Sequence, residues 1–206
     1  MQNRDGLLLV VSGPAGVGKG TINGLMLERH SDIRMSVSVT TRKPRPGEIE
    51  GVHYFYRSEE EFLDMAKRGK FLEYMHVFGS HYYGTPRSFV ESELSCGRSV
   101  MLEIDVQGAL KVKSSFPDAL LVFIAPPSMS QLKSRLIGRG TETPEQIERR
   151  SATAFEELRH ISSFDYVIVN DVIDAAVSRF EAILRAERCR VSRNSDFIES
   201  IQKGVQ

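Results

Sequence analysis

The sequence is poor in several features that mark specialised classes of protein. It has no tryptophan and only two cysteines, Cys96 and Cys189, among 206 residues. These cysteines lie far apart and match no metal-ligand or redox spacing. We therefore expect two reduced, structural thiols and no disulfide framework.

An excess of either charge is also missing. Lysine and arginine total 27, aspartate and glutamate total 27, and the formal net charge is zero. A protein that coats a polyanion shows a basic excess, so we expect no nucleic-acid partner. A small phosphorylated ligand needs only a local cluster of positive groups, so a net charge of zero does not exclude such a ligand.

Long apolar runs are missing as well. The first apolar run, residues 7–11, is shorter than a signal-peptide core and much shorter than a membrane span. We therefore expect a cytoplasmic protein with no membrane partner, either a monomer or a homodimer. The length suits one substantial domain with small inserted lobes.

What the sequence does contain is an alternation of strand and helix patterns. Short runs rich in Val, Ile or Leu predict strands covered on both faces at 7–11, 100–104, 120–124 and 166–169. Helical patterns follow these runs at 19–30, 107–115, 128–137 and 174–190. Such alternation predicts an α/β fold with a parallel sheet and right-handed crossovers.

Two stretches interrupt the alternation. Residues 36–97 are rich in β patterns and aromatic residues, which predicts a lobe inserted into a core made of 1–35 and 98–206. A polar, glycine-containing stretch begins a small lid at about 138–150. Within the lid, Thr143, Pro144 and Gln146 form a capping-box pattern that predicts the start of a helix.

The strongest local signal lies between the first strand and the first helix. The segment reads Gly13, Pro14, Ala15, Gly16, Val17, Gly18, Lys19, Gly20 and Thr21. Glycines let a backbone turn sharply and approach an anion, and the helix start supplies amide groups and a favourable dipole. Lys19 can reach the β- and γ-phosphates of a nucleotide as a mobile positive charge. This pattern predicts a phosphate-binding loop, or P-loop, that binds ATP.

One position departs from the usual loop. A serine or threonine normally follows the lysine and binds Mg²⁺, but here Gly20 follows and Thr21 comes next. The Gly-Lys-Gly-Thr order resembles the phosphate loop of adenylate kinases. We expect Mg²⁺ to be held largely through water, in keeping with its reluctance to dehydrate.

A second resemblance runs through almost the whole chain. Ser36-Val-Ser38-x-Thr-Thr-Arg42-x-Pro-Arg45-x-Gly-Glu is similar to the GMP-binding signature of guanylate kinases. The similarity continues in order through 71–73, 82–85, 102–108 and 135–143 to 168–171. It implies a P-loop three-layer fold with a core parallel sheet, an inserted β-rich GMP-binding lobe and a small lid. It also implies transfer of the γ-phosphoryl group of ATP to GMP, with Mg²⁺, in purine nucleotide metabolism.

The resemblance assigns the acceptor site residue by residue. It implies that the GMP phosphate is bound by Arg42, Arg45, Tyr54 and Tyr83, with the neighbouring Tyr82 as the alternative to the last. It places Ser38, Glu73 and Thr85 around the guanine base. The chemistry of Glu73 agrees, because a carboxylate has two acceptors for the N1–H and N2–H₂ donors of guanine, whereas adenine leaves them unpaired. Whether dGMP is also accepted stays open.

The same resemblance places the groups for transfer. It makes Arg139 and Arg150 lid arginines that act on the moving phosphoryl group, together with Lys19 and Arg42. For Arg135 and Arg149 we expect surface solvation, and for His81 a place in a loop. It also places Asn170 near the adenine of ATP.

Two carboxylates, Glu103 and Asp105, lie at the end of the second core strand, where ligands gather in open parallel sheets. We assign both to the acceptor side of the site. Asp105 is the candidate for organising Mg²⁺ or its waters, and a buried structural carboxylate is the alternative reading of that residue.

Two other functions compete with GMP phosphorylation. The Gly-Lys-Gly-Thr variant favours an AMP kinase, which the lobe with Ser38, Arg42 and Glu73 argues against. The other is a non-catalytic binding module, because guanylate-kinase-like domains of scaffold proteins have lost the phosphate loop and bind protein partners instead. Lys19, Arg139 and Arg150 argue against that alternative.

Overall fold

The computed structural model describes residues 6–77, 81–138 and 143–204. Its strands are β1 Leu8–Ser12, β2 Ile33–Met35, β3 Val39–Thr40, β4 Phe55–Tyr56, β5 Phe71–Val77, β6 His81–Pro86, β7 Ser99–Glu103, β8 Leu120–Ala125 and β9 Tyr166–Val169. Its helices are α1 Lys19–Arg29, α2 Glu59–Lys67, α3 Arg87–Ser95, α4 Val106–Ser115, α5 Met129–Gly138, α6 Pro144–Leu158, α7 Ile173–Arg188 and α8 Ser195–Gln202. Short 3₁₀ turns lie at Ile161–Ser163 and Val191–Arg193.

The first sheet is parallel throughout and has the strand order β2-β7-β1-β8-β9. Successive residues of β1 point to opposite faces, and both faces are covered by helices. Leu9 and Val11 pack in one hydrophobic cluster, and Leu8 and Val10 pack in another. The predicted α/β fold with three layers is confirmed.

Helices cover the two faces of this sheet in different combinations. The first cluster draws Ile22 from α1 and Phe180 from α7, and the second draws Val90 from α3 and Val112 from α4. Complete burial of these apolar side chains is the main stabilising contribution to the core.

One expectation about the core strands is wrong. The apolar run 166–169 predicts a strand covered on both faces, but β9 lies at the edge of the sheet. Val167 is 54% exposed and Val169 is 38% exposed, while Ile168 between them is fully buried. An edge strand with alternating burial accounts for this pattern.

The second sheet is mixed and has the order β4-β3-β6-β5. Strand β3 pairs parallel with β4 and antiparallel with β6, which pairs antiparallel with β5. Its hydrophobic cluster centres on Phe62 of α2, whose ring stacks on Phe71 with centroids 4.4 Å apart. His81, expected in a loop, is the first residue of β6.

Sequence signals account for some of the helix starts. Thr143 caps α6 with the predicted capping box, because its hydroxyl accepts from the backbone N–H of Gln146 and the Gln146 side chain accepts in return. Ser58 and Glu61 form a second capping box at the start of α2. Both motifs satisfy backbone N–H groups that have no partner within the helix.

Two further expectations concern the thiols and membranes. Cys96 and Cys189 are free thiols in the structure, and both are exposed at the surface. Within the part of the chain that the structure describes, no helix has the length and apolar character needed to cross a bilayer.

Candidate active site

A cavity of about 830 Å³ lies between the two sheets and takes its walls from both. The parallel sheet brings the carboxyl ends of β1 and β7 to this cavity, as expected for an open α/β fold. The predicted site residues that line it are Gly13, Ala15, Lys19, Ser38, Arg42, Arg45, Tyr54, Glu73, Tyr83, Glu103, Asp105 and Arg150. The fold therefore brings together residues that are up to 137 positions apart, from Gly13 to Arg150.

The phosphate-binding loop follows β1 directly and has the backbone that the sequence predicts. Gly13, Gly16 and Gly18 have φ of 138°, 84° and 97°. At Gly18 a Cβ atom would lie 2.5 Å from the side-chain Nδ2 of Asn170, and at Gly13 it would lie 2.2 Å from the backbone carbonyl oxygen of Ile124. Only glycine satisfies both the positive φ and the close contacts at these two positions.

The lysine of this loop folds back over the loop itself. Lys19 Nζ donates to the carbonyl oxygens of Gly13, at 2.5 Å, and of Pro14, at 3.1 Å. These contacts keep the ammonium group at the cavity wall. The other predicted members of the loop shape the turn and the start of α1 and are not among the lining residues: Pro14, Gly16, Val17, Gly18, Gly20 and Thr21.

The predicted nucleotide residue Asn170 braces this loop. It is buried, and its Nδ2 donates to the carbonyl oxygen of Val17 at 2.7 Å. Arg135 adds to the brace by donating to the carbonyl oxygens of Val17 and Asn170, at 3.3 and 2.8 Å. The expectation that Arg135 is a solvated surface residue is wrong, because its guanidinium joins the loop to the end of β9. Asn170 is not among the residues that line the cavity.

A positively charged cluster occupies the lobe side of the cavity. Arg42 Nε donates to the hydroxyl of Tyr83 at 3.2 Å, and the Arg42 guanidinium lies 5.3 Å from the centre of the Tyr54 ring. Arg42 Nη2 donates to Glu48 at 2.8 Å, and this bond raises the pKa of Arg42. Arg45 lies beside them as an exposed residue of the cavity wall. The cluster is suited to an anion such as a phosphate group.

Adjacent tyrosines of β6 point to opposite sides of the lobe sheet. The Tyr83 hydroxyl meets Arg42 in the cavity, whereas the Tyr82 ring stacks on Phe62 with centroids 5.4 Å apart. The alternation of side chains along a strand explains this separation. Tyr83, and not Tyr82, is therefore the tyrosine that faces the charged cluster.

A buried carboxylate marks the other end of the lobe wall. Glu73 of β5 is 8% exposed, and burial raises its pKa to about 7. The hydroxyl of Thr85, which is fully buried on β6, donates to Glu73 Oε1 at 2.8 Å. Gly108 in the first turn of α4 borders the other carboxylate oxygen, because a Cβ atom at Gly108 would lie 3.2 Å from Glu73 Oε2. The Ser38 side chain is half-buried in the same wall.

Two carboxylates lie at the carboxyl end of β7, where Glu103 is the last residue of the strand and Asp105 follows it. Each accepts a hydrogen bond from the protein. Asp105 caps α4, because its Oδ1 accepts from the backbone N–H of Gly108 at 2.8 Å. Glu103 Oε2 accepts from Asn23 of α1 at 2.7 Å. No group of three or more His, Cys, Asp or Glu residues able to hold a metal occurs within residues 6–77, 81–138 and 143–204. A cation here would have at most one or two carboxylates and would rely on phosphate and water for its other ligands.

One face of α6 forms the remaining wall. Arg149, Arg150 and Thr153 line the cavity, as does Glu157 two turns after Arg150. Burial raises the pKa of Glu157 to about 7, against the attraction of the Lys19 charge. Sequence reasoning missed Glu157, although its spacing of seven from Arg150 places both on one helix face. The predicted lid arginine Arg139 lies outside the described residues.

Comparison with known proteins gives a consistent result. The family model described as guanylate kinase matches residues 5–187. The guanylate kinase of Caldanaerobacter subterraneus subsp. tengcongensis is 50% identical over 200 residues, which cover 97% of each chain. That of Bacillus anthracis is 47% identical over 207 residues and 100% of each chain. The crystal structure of guanylate kinase from Anaplasma phagocytophilum superposes with a TM-score of 0.78 at 36% identity, covering 94% of this chain and 92% of that one.

Proposed function

The chain belongs to the guanylate kinase family and catalyses the ATP-dependent phosphorylation of GMP to GDP, and we propose that the cavity between its two sheets aligns both nucleotides for direct transfer. Phosphoryl transfer is catalysed mainly by alignment and by neutralisation of charge on the moving group. The observation that carries the proposal is that one cavity holds the loop lysine Lys19, the Arg42 cluster and the Glu73 carboxylate.

For GMP, we assign the phosphate to the cluster of Arg42, Arg45, Tyr54 and Tyr83. The base then lies against Glu73, whose two acceptors match the N1–H and N2–H₂ donors of guanine. Ser38 and Thr85 support the base end, because Thr85 fixes one carboxylate oxygen of Glu73. None of these contacts requires the ribose 2′-hydroxyl, so we propose that dGMP is also an acceptor.

For ATP, we assign the β- and γ-phosphates to the loop from Gly13 to Thr21 at the start of α1. The backbone N–H groups and the helix dipole favour anionic oxygens there. Lys19 leaves its carbonyl partners to bind the phosphates, and Arg150 approaches the moving group from α6. Asn170 supports ATP binding by holding Val17 in place. Together with Arg139, these groups neutralise the charge that develops during transfer.

Guanylate kinases use ATP with a divalent metal, and we propose that the metal is Mg²⁺. When bound, Mg²⁺ would neutralise negative charge on the phosphate groups. Asp105 fits the role of holding it through water, because it lines the cavity and its Oδ1 caps α4. Glu103 adds negative charge at the start of α1. The structural role and the metal role of Asp105 are compatible, since the same carboxylate can cap α4 and contact a water molecule of the metal.

We further propose a division of the chain into moving parts. The core comprises 1–35 and 98–206, the GMP-binding lobe comprises 36–97, and the lid lies at about 138–150. Closure of lobe and lid on the core would exclude water and protect ATP from hydrolysis. A cytoplasmic location completes the proposal and is supported by the two exposed, unpaired thiols.

Replacement of Lys19 tests the proposed transfer site. We expect Lys19→Ala to lower kcat by roughly 10²- to 10³-fold, the usual cost of losing one group that stabilises transition-state charge. The melting temperature should change little, because the ammonium lies at a cavity wall and not in the core. Lys67→Ala, at the surface end of α2, is the matched control and should leave kcat unchanged. Wild-type turnover by Lys19→Ala would disprove the role of Lys19.

A further inference from the structure

We propose that Glu48 is a positioning residue that fixes Arg42 and Arg45 in the orientation needed to bind the GMP phosphate. This inference rests on the assignment of the phosphate to those arginines. Glu48 itself is not among the residues that line the cavity. Its effect on the reaction must therefore pass through its neighbours.

The contacts of the Glu48 carboxylate join three parts of the lobe. Oε1 accepts from Arg42 Nη2 at 2.8 Å. Oε2 accepts from the backbone N–H of Arg45 at 2.7 Å and from the hydroxyl of Tyr56 at 2.8 Å. One side chain therefore orients the guanidinium of the first arginine and the backbone of the second.

Glu48 is also the charged partner of Arg42 in an otherwise neutral set of contacts. Arg42 Nε donates to the Tyr83 hydroxyl at 3.2 Å, and Nη1 donates to the carbonyl oxygen of Lys43 at 2.8 Å. The side chains of Arg42 and Glu48 are only 12% and 16% exposed, so solvent screens this ion pair less than a surface pair. The bond from Arg42 holds the pKa of Glu48 at about 2, and the carboxylate stays ionised at neutral pH.

A fixed guanidinium matters because recognition of phosphate by arginine is directional. Two parallel N–H donors must face the anion, and a side chain already held in that geometry loses less conformational freedom on binding. Groups that contact a ligand need neighbours that lock their own conformations. Glu48 is placed to hold the guanidinium of Arg42 and the backbone of Arg45 at once.

The same lobe offers a matched control in Glu50. Its Oε1 accepts from Arg57 Nη1 at 2.8 Å, and its Oε2 accepts from the backbone N–H of Tyr56 at 2.8 Å. Glu50, two positions after Glu48, thus also pairs with an arginine and a backbone amide. Neither Glu50 nor Arg57 lines the cavity, however. A general effect on lobe folding would appear in both variants, whereas a positioning effect would appear only at Glu48.

The test compares Glu48→Gln and Glu50→Gln in the full chain. We expect Glu48→Gln to raise the KM for GMP about tenfold, as for loss of one charged hydrogen bond. The KM for ATP, the melting temperature and competitive inhibition by guanosine, which lacks the phosphate, should stay near wild type. Glu50→Gln should match wild type in every measurement. An unchanged KM for GMP in Glu48→Gln, or an equal loss of guanosine binding, would overturn the inference.

A double-mutant cycle with Arg42→Lys separates this inference from the assignment on which it rests. If Glu48 acts through Arg42, the two substitutions together should raise the KM for GMP by less than the product of their separate effects. An unchanged KM in Arg42→Lys alone would disprove the phosphate assignment. A raised KM in Arg42→Lys with no effect of Glu48→Gln would disprove only the role of Glu48.

Discussion

The hydroxyl of Thr85 donates a 2.8 Å hydrogen bond to one carboxylate oxygen of Glu73, and both side chains are buried in the lobe wall of the active site. Strands β5 and β6 place these two residues directly opposite each other in the antiparallel ladder. The bond leaves Glu73 Oε2 facing Gly108 and fixes the carboxylate plane. A carboxylate held in this way presents acceptors, and no donors, to a base.

The first prediction concerns the choice of base. Glu73→Gln replaces one acceptor with an N–H₂ donor, which would oppose the donors of guanine. We expect discrimination between GMP and AMP, measured as the ratio of kcat/KM, to fall roughly 10- to 100-fold. Assays with UMP and CMP give the baseline for non-purine acceptors. Unchanged discrimination would show that Glu73 does not read the base.

The second prediction concerns pH. Burial raises the pKa of Glu73 to about 7. The proposed contact of Glu73 with guanine requires the ionised form. Lowering the pH through 7 protonates the carboxylate, so the KM for GMP should increase by about tenfold between pH 8 and pH 6. Because the GMP phosphate also titrates near pH 6, the same series with Glu73→Gln measures that contribution. An equal pH dependence in both proteins would contradict the assignment.

The third prediction concerns the space beside Glu73. A Cβ atom at Gly108 would lie 3.2 Å from Glu73 Oε2, which is closer than an ordinary contact, and 3.4 Å from Ile104 Cδ1. We expect Gly108→Ala to displace the carboxylate and raise the KM for GMP without changing the KM for ATP. Gly24→Ala is the control, because no atom lies within 4 Å of a Cβ there. Alanine at that exposed helical position should stabilise the protein by about 0.5–1 kcal/mol and leave the kinetics unchanged.

The fourth prediction concerns the helix that carries Arg150. Thr143→Ala removes the side chain that caps α6, and we expect a loss of about 1 kcal/mol in the free energy of unfolding. Amide hydrogen exchange should increase in the first turn of α6 more than in α4. Thr143→Ser retains the hydroxyl and should restore both the unfolding free energy and the protection. Full protection in Thr143→Ala would show that the cap does not stabilise this helix.

Much of the core could be predicted because its signals are local. The strand at Tyr166–Val169 was predicted at its observed bounds, and α5 was predicted within one residue at each end. The phosphate-binding loop was predicted from glycine positions, and Gly13, Gly16 and Gly18 all have positive φ. The capping box at Thr143 was equally readable, because it depends on residues three apart.

Other elements were missed for identifiable reasons. Strand β2, Ile33–Met35, has three residues and offers too short a pattern. Helix α3 starts after Pro86 with no side-chain cap, so no local motif marks it. Helix α2 could have been predicted, since Ser58 and Glu61 form a capping box, but the aromatic residues around it favour strands. Phe62 is buried in the hydrophobic cluster of the second sheet, and no hydrophobic periodicity in the neighbouring segments predicts that position.

The sequence alone determined the nucleotide loop and the membership of a family, because both reside in ordered residue identities such as Gly13, Gly18 and Lys19. It also determined that Glu73 is chemically suited to guanine. Only the tertiary structure decided that Tyr83 and not Tyr82 meets Arg42, that Glu48 holds that arginine, and that Glu157 shares the cavity with Lys19. These relationships depend on which face of a strand or helix meets a distant element, and that is set by packing between segments far apart in the chain.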